Sequence, residues 1–353
     1  FYLISLFFFL ISIFSFFVNK KFKEYLLIIL LSSILTLYIF EIYIINFSSH
    51  KNERWNVSKK RIEYYHKLTS KKFDVRTRLE IFNDLKENDL NLSVTTYPSN
   101  YAVLNKDLLP LSSLSHSRTI YCNENGFYNI YLSDRYGFNN PDEEWDKDEI
   151  EYLLLGDSFV HGACVNRPND IASVLRKLSN KATLNLAMGS SGPLIQFATL
   201  REYIKPKVKN ILWFFYQNDL QDLKGELNNK ILNSYFENPD YNQNLKLKQK
   251  EIDKIVSNSI NKFLLNEKNL KTQKKINIKD SNFDTLAFLK LNKTRSILDN
   301  FIPISIIQPI EIHPEFKKII FQAKNFAKDN NSNFYFVFLP SQNMIFSKKK
   351  RIK

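Results

Sequence analysis

The 353 residues, 44% of them apolar, are enough for one large or two medium globular units with a sizeable core. The formal net charge of +14 does not point to nucleic acid: lysines are scattered among acids, there is no arginine-rich stripe or nucleic-acid motif, and the Lys, Asn, Ile and Phe bias runs uniformly along the chain. Two cysteines and no histidine pair at ligand spacing argue against a metal centre.

Residues 1–18 carry no charge, and residues 25–47 carry only Glu41. Each stretch is close to the roughly 20 apolar residues that cross a bilayer. Runs such as Phe7 to Leu10 and Ile28 to Leu31 leave no polar face, so two transmembrane helices are expected over 1–47 in place of buried core helices. The link at 19–24 holds Lys20, Lys21 and Lys23, which places it in the cytoplasm and both outer ends outside. Lys51, Arg54, Lys59, Lys60 and Arg61 pull the other way, but long domains translocate largely regardless of charge. The expected location is the membrane, with the following domain periplasmic or extracellular. No small-residue cleavage pattern follows Val18.

Residues 48–150 read as a connecting region. Its first half, through Leu92, is charged and helix-prone, with helical apolar spacing over 74–82, and predicts a stalk or small helical layer. Its second half alternates apolar residues at 119–122 and 128–132 with the turn-rich run 133–141, which predicts an edge hairpin leading into the main sheet. Asp134 and Arg135 there read either as a structural ion pair or as substrate contacts. Over 151–353, apolar strands near 152, 183, 210 and 334 alternate with helical patterns at 170–178 and 194–204, the signature of an α/β domain with a doubly wound parallel sheet. A lysine- and asparagine-rich helical insertion interrupts it at about 226–300 and is placed to shape or cover a site.

Three of those strands end in chemistry. The first runs into Gly156, Asp157 and Ser158, and a serine at the carboxyl end of a buried strand is set for nucleophilic attack, although serine also serves simply as a helix N-cap. The second runs into the small-residue loop 189–192 ahead of Pro193, which suits a first helical turn. The third ends in Gln217, Asn218 and Asp219. An oxyanion needs two or three fixed donors about 3 Å away, and the Ser158 amide, an amide of the 189–192 loop and the Asn218 side chain meet that need.

At these residues the chain resembles the SGNH hydrolases, the GDSL esterases and lipases. Gly156-Asp157-Ser158 matches the first family block and Asn218-Asp219 the third; the second falls on 185–192, with its donor at Ser190 and Gly189 beside it. The resemblance implies a flavodoxin-like three-layer sandwich, Ser158 as nucleophile, an oxyanion hole from Ser158, Gly189 or Ser190, and Asn218, and no cofactor. Tyr216-Gln217 before Asn218 departs from the family, which has a glycine nearby. The fourth block, Asp-x-x-His, is absent after Ser158, and the chain opens on Phe1 and stops at Lys353, so the expectation is a fragment whose general base lies beyond 353. His161, three residues past Ser158 on the turn or first helical turn, is the minor alternative for that role, and His313 lacks the spacing and reads as a surface or helix-cap residue. A serine without a base is nearly inert, so these residues alone are expected to retain little activity. An outward-facing domain permits a Cys122–Cys164 disulfide; buried thiols are the alternative. The expected partners are the lipid bilayer and an ester-bearing glycan or lipid, with the acyl group passing to water in an esterase or to a sugar in an O-acyltransferase. A non-catalytic glycan-binding module on the same scaffold is the reading from another class.

Overall fold

The computed structural model describes residues 19–47, 59–101, 107–276, 285–301 and 312–340. Two compact units emerge, Phe1–Asn56 with Ile276–Gln308, and Val57–Lys275 with Pro309–Lys353. The expected first span, 1–18, lies outside the described residues.

In the first unit, one helix among the described residues, α1 (Lys20–Phe47), is long and apolar enough to cross a bilayer. It starts earlier than the apolar run predicts, because Asn19 accepts from the Lys21 amide at 3.1 Å and caps it; the three linking lysines are thereby helical instead of looped. Its serine and threonine hydroxyls return their bonds to the helix, Ser33 to the Ile29 carbonyl at 2.7 Å and Thr36 to that of Ser32 at 2.8 Å, so these groups need no outside partner.

The second unit is built on a four-stranded, wholly parallel sheet in the order β5 (Thr183–Asn185), β4 (Ile150–Leu155), β6 (Val208–Phe215), β7 (Asn333–Phe338). Alternate residues of β4 enter opposite cores. Leu153 and Leu155 face the larger one, which includes Trp213, Leu194, Ala198 and Ile319, whereas Leu154 joins Val160, Ala172 and Ala187. Helices therefore cover both faces: α4 (Ile171–Ser179) on one, α5 (Pro193–Tyr203) and α7 (Pro314–Asp329) on the other. Pro193 opens α5, as its preset φ favours.

From β4 the chain steps to β5 on one side and then to β6 on the other. The order of winding reverses there, and in open α/β sheets the crevice at such a switch, outside the carboxyl ends of the strands, is where ligands bind.

The connecting region is not a separate stalk. Helix α2 (Arg78–Lys86) begins with a reciprocal cap, in which Thr77 accepts from the Glu80 amide and the Glu80 carboxylate accepts from the Thr77 amide at 2.6 Å. A second, three-stranded sheet follows, with β1 (Leu92–Val94) parallel to β2 (Arg118–Ile120) and β2 antiparallel to β3 (Ile130–Leu132). The predicted hairpin exists but does not extend the main sheet; Leu92, Val94 and Ile120 instead share the core of Leu153 and Trp213. Asp134 and Arg135 are structural. Asp134 is wholly buried and accepts from Trp145 Nε1 at 2.7 Å and Asn140 Nδ2 at 2.8 Å, while Arg135 pairs with Asp142 and Asp146, each at 2.7 Å. The predicted insertion is divided: the helix Gln249–Ile276 belongs to the second unit up to Lys275, and 276–308 belong to the first.

Candidate active site

The turn after β4 is tight for a local reason. A Cβ on Gly156 would meet Val160 Cγ2 at 2.7 Å and Phe214 Cβ at 3.3 Å, so only glycine lets the next helix fold back over the strand end. That helix, α3 (Ser158–His161), is capped by Asp157, whose Oδ1 accepts from the Phe159 amide at 3.0 Å. Ser158 is thus not the cap. It is partly exposed, and its hydroxyl makes no hydrogen bond to any described residue.

Buried amides hold this turn from three directions. Asn185 Nδ2 donates to the Val160 carbonyl at 2.7 Å, and Asn139 Nδ2 donates to that of His161 at 2.9 Å. The small sheet grips the segment beyond it through the Cys122–Cys164 disulfide and through Asn129 Nδ2, which donates to the Val165 carbonyl at 2.8 Å. His161 is the hub. Its Nδ1 accepts from the Gly189 amide at 3.2 Å, which assigns the proton to Nε2 and directs it to the Tyr131 hydroxyl at 3.0 Å. Burial pushes its pKa down to about 3, so it stays neutral. Both ring nitrogens are committed, and His161 is a post that ties two loops together, not a base.

That bond bears on the two expected donors of the 189–192 loop. Gly189 gives its amide to His161, and Tyr97 and the Tyr121 hydroxyl pack so closely that a Cβ there would lie 2.6 and 2.7 Å from them. Ser190, exposed and in the left-handed region at φ 53°, keeps an amide that bonds to no described residue. Of the two sequence candidates, the free donor is therefore Ser190. On the other side of Ser158, the Asn218 side chain approaches the Asp157 carboxyl, and the Phe159 and Tyr216 rings lie 4.7 Å apart. The tip after β4 thus touches both the tip after β5 and the tip after β6.

Acids gather behind this rim. Burial, and then the charge of Asp157, push the Asp219 carboxyl up to about 8 from its usual 3.8. Its Oδ2 accepts from the Tyr216 amide at 3.2 Å, whereas its Oδ1 has no partner among the described residues. Between about pH 4 and pH 8 the unfolded chain has lost this proton and the folded one keeps it. The stabilisation is complete below about pH 4 and is lost as pH rises through about 8, at up to about 1.4 kcal/mol per unit. Asp219→Asn is expected to flatten that slope in urea midpoints measured at pH 5 and pH 8 and to be the more stable protein at pH 8. Parallel profiles for the two would contradict a protonated Asp219.

Glu226, at the end of α6 (Asp219–Glu226), caps α5. Its carboxyl accepts from the amides of Gly192 at 2.6 Å, Leu194 at 2.9 Å and Ile195 at 3.4 Å. Burial pushes it up to about 8 against the pull of those amides. Glu226→Ala strands three buried N–H groups next to the Ser190 loop, and unfolding should show a loss of about 2–4 kcal/mol.

Sequence reasoning missed the posts of this site, namely Tyr97, Tyr121, Tyr131, Asn139, Asn185 and Glu226. Each acts through a partner distant in sequence, and an asparagine or tyrosine in a turn carries no local mark of that. No family model matches the chain, and no curated protein or solved structure matches it.

Proposed function

We propose that this protein is a membrane-anchored serine esterase of the SGNH type, with Ser158 as nucleophile, acting on an O-acyl ester of envelope glycan or lipid. The observation that carries the reading is the coincidence of Ser158 and Asn218 with the two strand ends that flank the winding reversal, the crevice where α/β sheets bind ligands. Ser158 Oγ attacks the ester carbonyl and the alcohol leaves with a proton, giving an acyl-enzyme. The developing oxyanion is held by the amides of Ser158 and Ser190 and by Asn218, once substrate draws the Asn218 side chain from Asp157. The base that takes the Ser158 proton comes from outside the described residues, since His161 is buried and neutral. Water then releases the acyl group; a sugar hydroxyl in its place makes the same site an O-acyltransferase.

Anchoring rests on α1. Only 11% of its apolar window is buried among the described residues, which suits a lipid surrounding. Three lysines at its amino-terminal end favour an outward-facing globular unit.

Supplying full-length protein in membranes with an isotopically labelled acyl donor tests the chemistry. Label should appear on the peptide containing Ser158 and then in free acid or on glycan, the last distinguishing hydrolase from transferase. Undiminished label turnover by Ser158→Ala would overturn the reading and leave the glycan-binding module.

A further inference from the structure

We infer that residues 285–301 form a second membrane contact, an interfacial foot seated at the boundary of headgroups and acyl chains beside α1 and latched there by Glu41. The inference rests on reading α1 as a membrane span.

Glu41 is the single acid between residues 25 and 47, and it is only 1% exposed. Its carboxylate accepts from the amides of Lys293 at 2.9 Å and Thr294 at 2.7 Å and from the Thr294 hydroxyl at 2.7 Å, so it fills the amino-terminal end of the helix Asn292–Phe301. A carboxylate on an apolar helix needs such donors, because lipid offers none. Three residues earlier, the Tyr38 hydroxyl donates to the Leu289 carbonyl at 3.1 Å and its ring lies 5.2 Å from that of Phe288, which fixes the preceding helix Thr285–Leu289 to the same side. Glu41 precedes the end of α1 by six residues, about 9 Å of helix, so the latch sits inside the apolar zone and not beyond it.

The surface of the foot fits that depth. Leu286 and Leu289 are 62% and 57% exposed, and Ile39, Ile42 and Tyr43 of α1 are exposed as well. Lys290, Lys293 and Arg295 are exposed among them. Apolar side chains interleaved with long cations suit the interface, where stems lie in the acyl region and heads reach lipid phosphate. Helices of 5 and 10 residues are too short to cross. The occupant of this face is therefore the anionic bilayer surface itself.

The native cysteines are bridged, so a single introduced thiol can carry a nitrobenzoxadiazole label in full-length protein. In phosphatidylcholine–phosphatidylglycerol nanodiscs, where dithionite reaches both faces, the label on Leu286→Cys should be reduced about 10-fold more slowly than one on Leu247→Cys, which is 87% exposed in the other unit. Leu31→Cys in mid-span serves as the reference. Rapid reduction at 286 with protection at 31 overturns the foot and spares the span; rapid reduction at both overturns the span and the foot with it. Glu41→Ala should expose 286 while leaving 31 protected, with Glu41→Gln between the two, and an unchanged 286 would refute the latch.

Discussion

Replacing Gly137 with alanine is expected to destabilise the globular unit by about 3–5 kcal/mol, a large share of the roughly 5–15 kcal/mol that holds a domain together. A Cβ at this position would lie 2.0 Å from the Ser113 carbonyl oxygen and 2.6 Å from its carbon. Both are backbone atoms and cannot rotate away, and the φ of +86° adds the left-handed penalty. The turn is pinned on both sides, with the Gly137 amide donating to the Asp134 carbonyl at 3.0 Å and the Ser113 amide donating to the Gly137 carbonyl at 3.3 Å. Relief would have to shift the fully buried Phe138 or the hydrogen bonds of Asp134. Gly225→Ala is the control: it lies in α6 with open space at its Cβ, and alanine there should stabilise by about 0.5–1 kcal/mol. A urea midpoint for Gly137→Ala equal to that of the parent protein would mean that the turn does not approach residue 113 as described.

The parallel sheet was legible because each of its strands is an apolar run bounded by breakers. The helical patterns at 170–178 and 194–204 appear as Ile171–Ser179 and Pro193–Tyr203, set by Asp170 as a cap and Pro193 as a starter. Strand ends fix loop tips, so the placing of Ser158, the 189–192 loop and Asn218 on one rim followed from period and punctuation, and the family resemblance singled out Ser190 within that loop. What was not legible depends on partners far apart in sequence. Asn140 bonds both the amide and the carbonyl of Asn185, 45 residues on, and Gly189 meets His161 across 28 residues. No periodicity records such pairings, which is why Gly189 looked like an available donor. Of the small sheet, the hairpin of β2 and β3 was legible as alternation, but β1 was not, because three residues at the end of a charged, helix-prone stretch are too few to mark a period of two. Nor does composition reveal that 285–301 packs on α1, since that link turns on one carboxylate, Glu41, and amides about 250 residues away.

The most direct test of the central claim, that the Ser158 hydroxyl is an accessible nucleophile on this rim, is labelling of full-length protein in membranes with a fluorophosphonate probe. The phosphonyl group should map to the peptide carrying Ser158, Ser158→Ala should lower labelling by about 10³-fold or more, and Ser190→Ala, which keeps the backbone amide, should label like the parent. Equal labelling of the parent and Ser158→Ala would contradict the account.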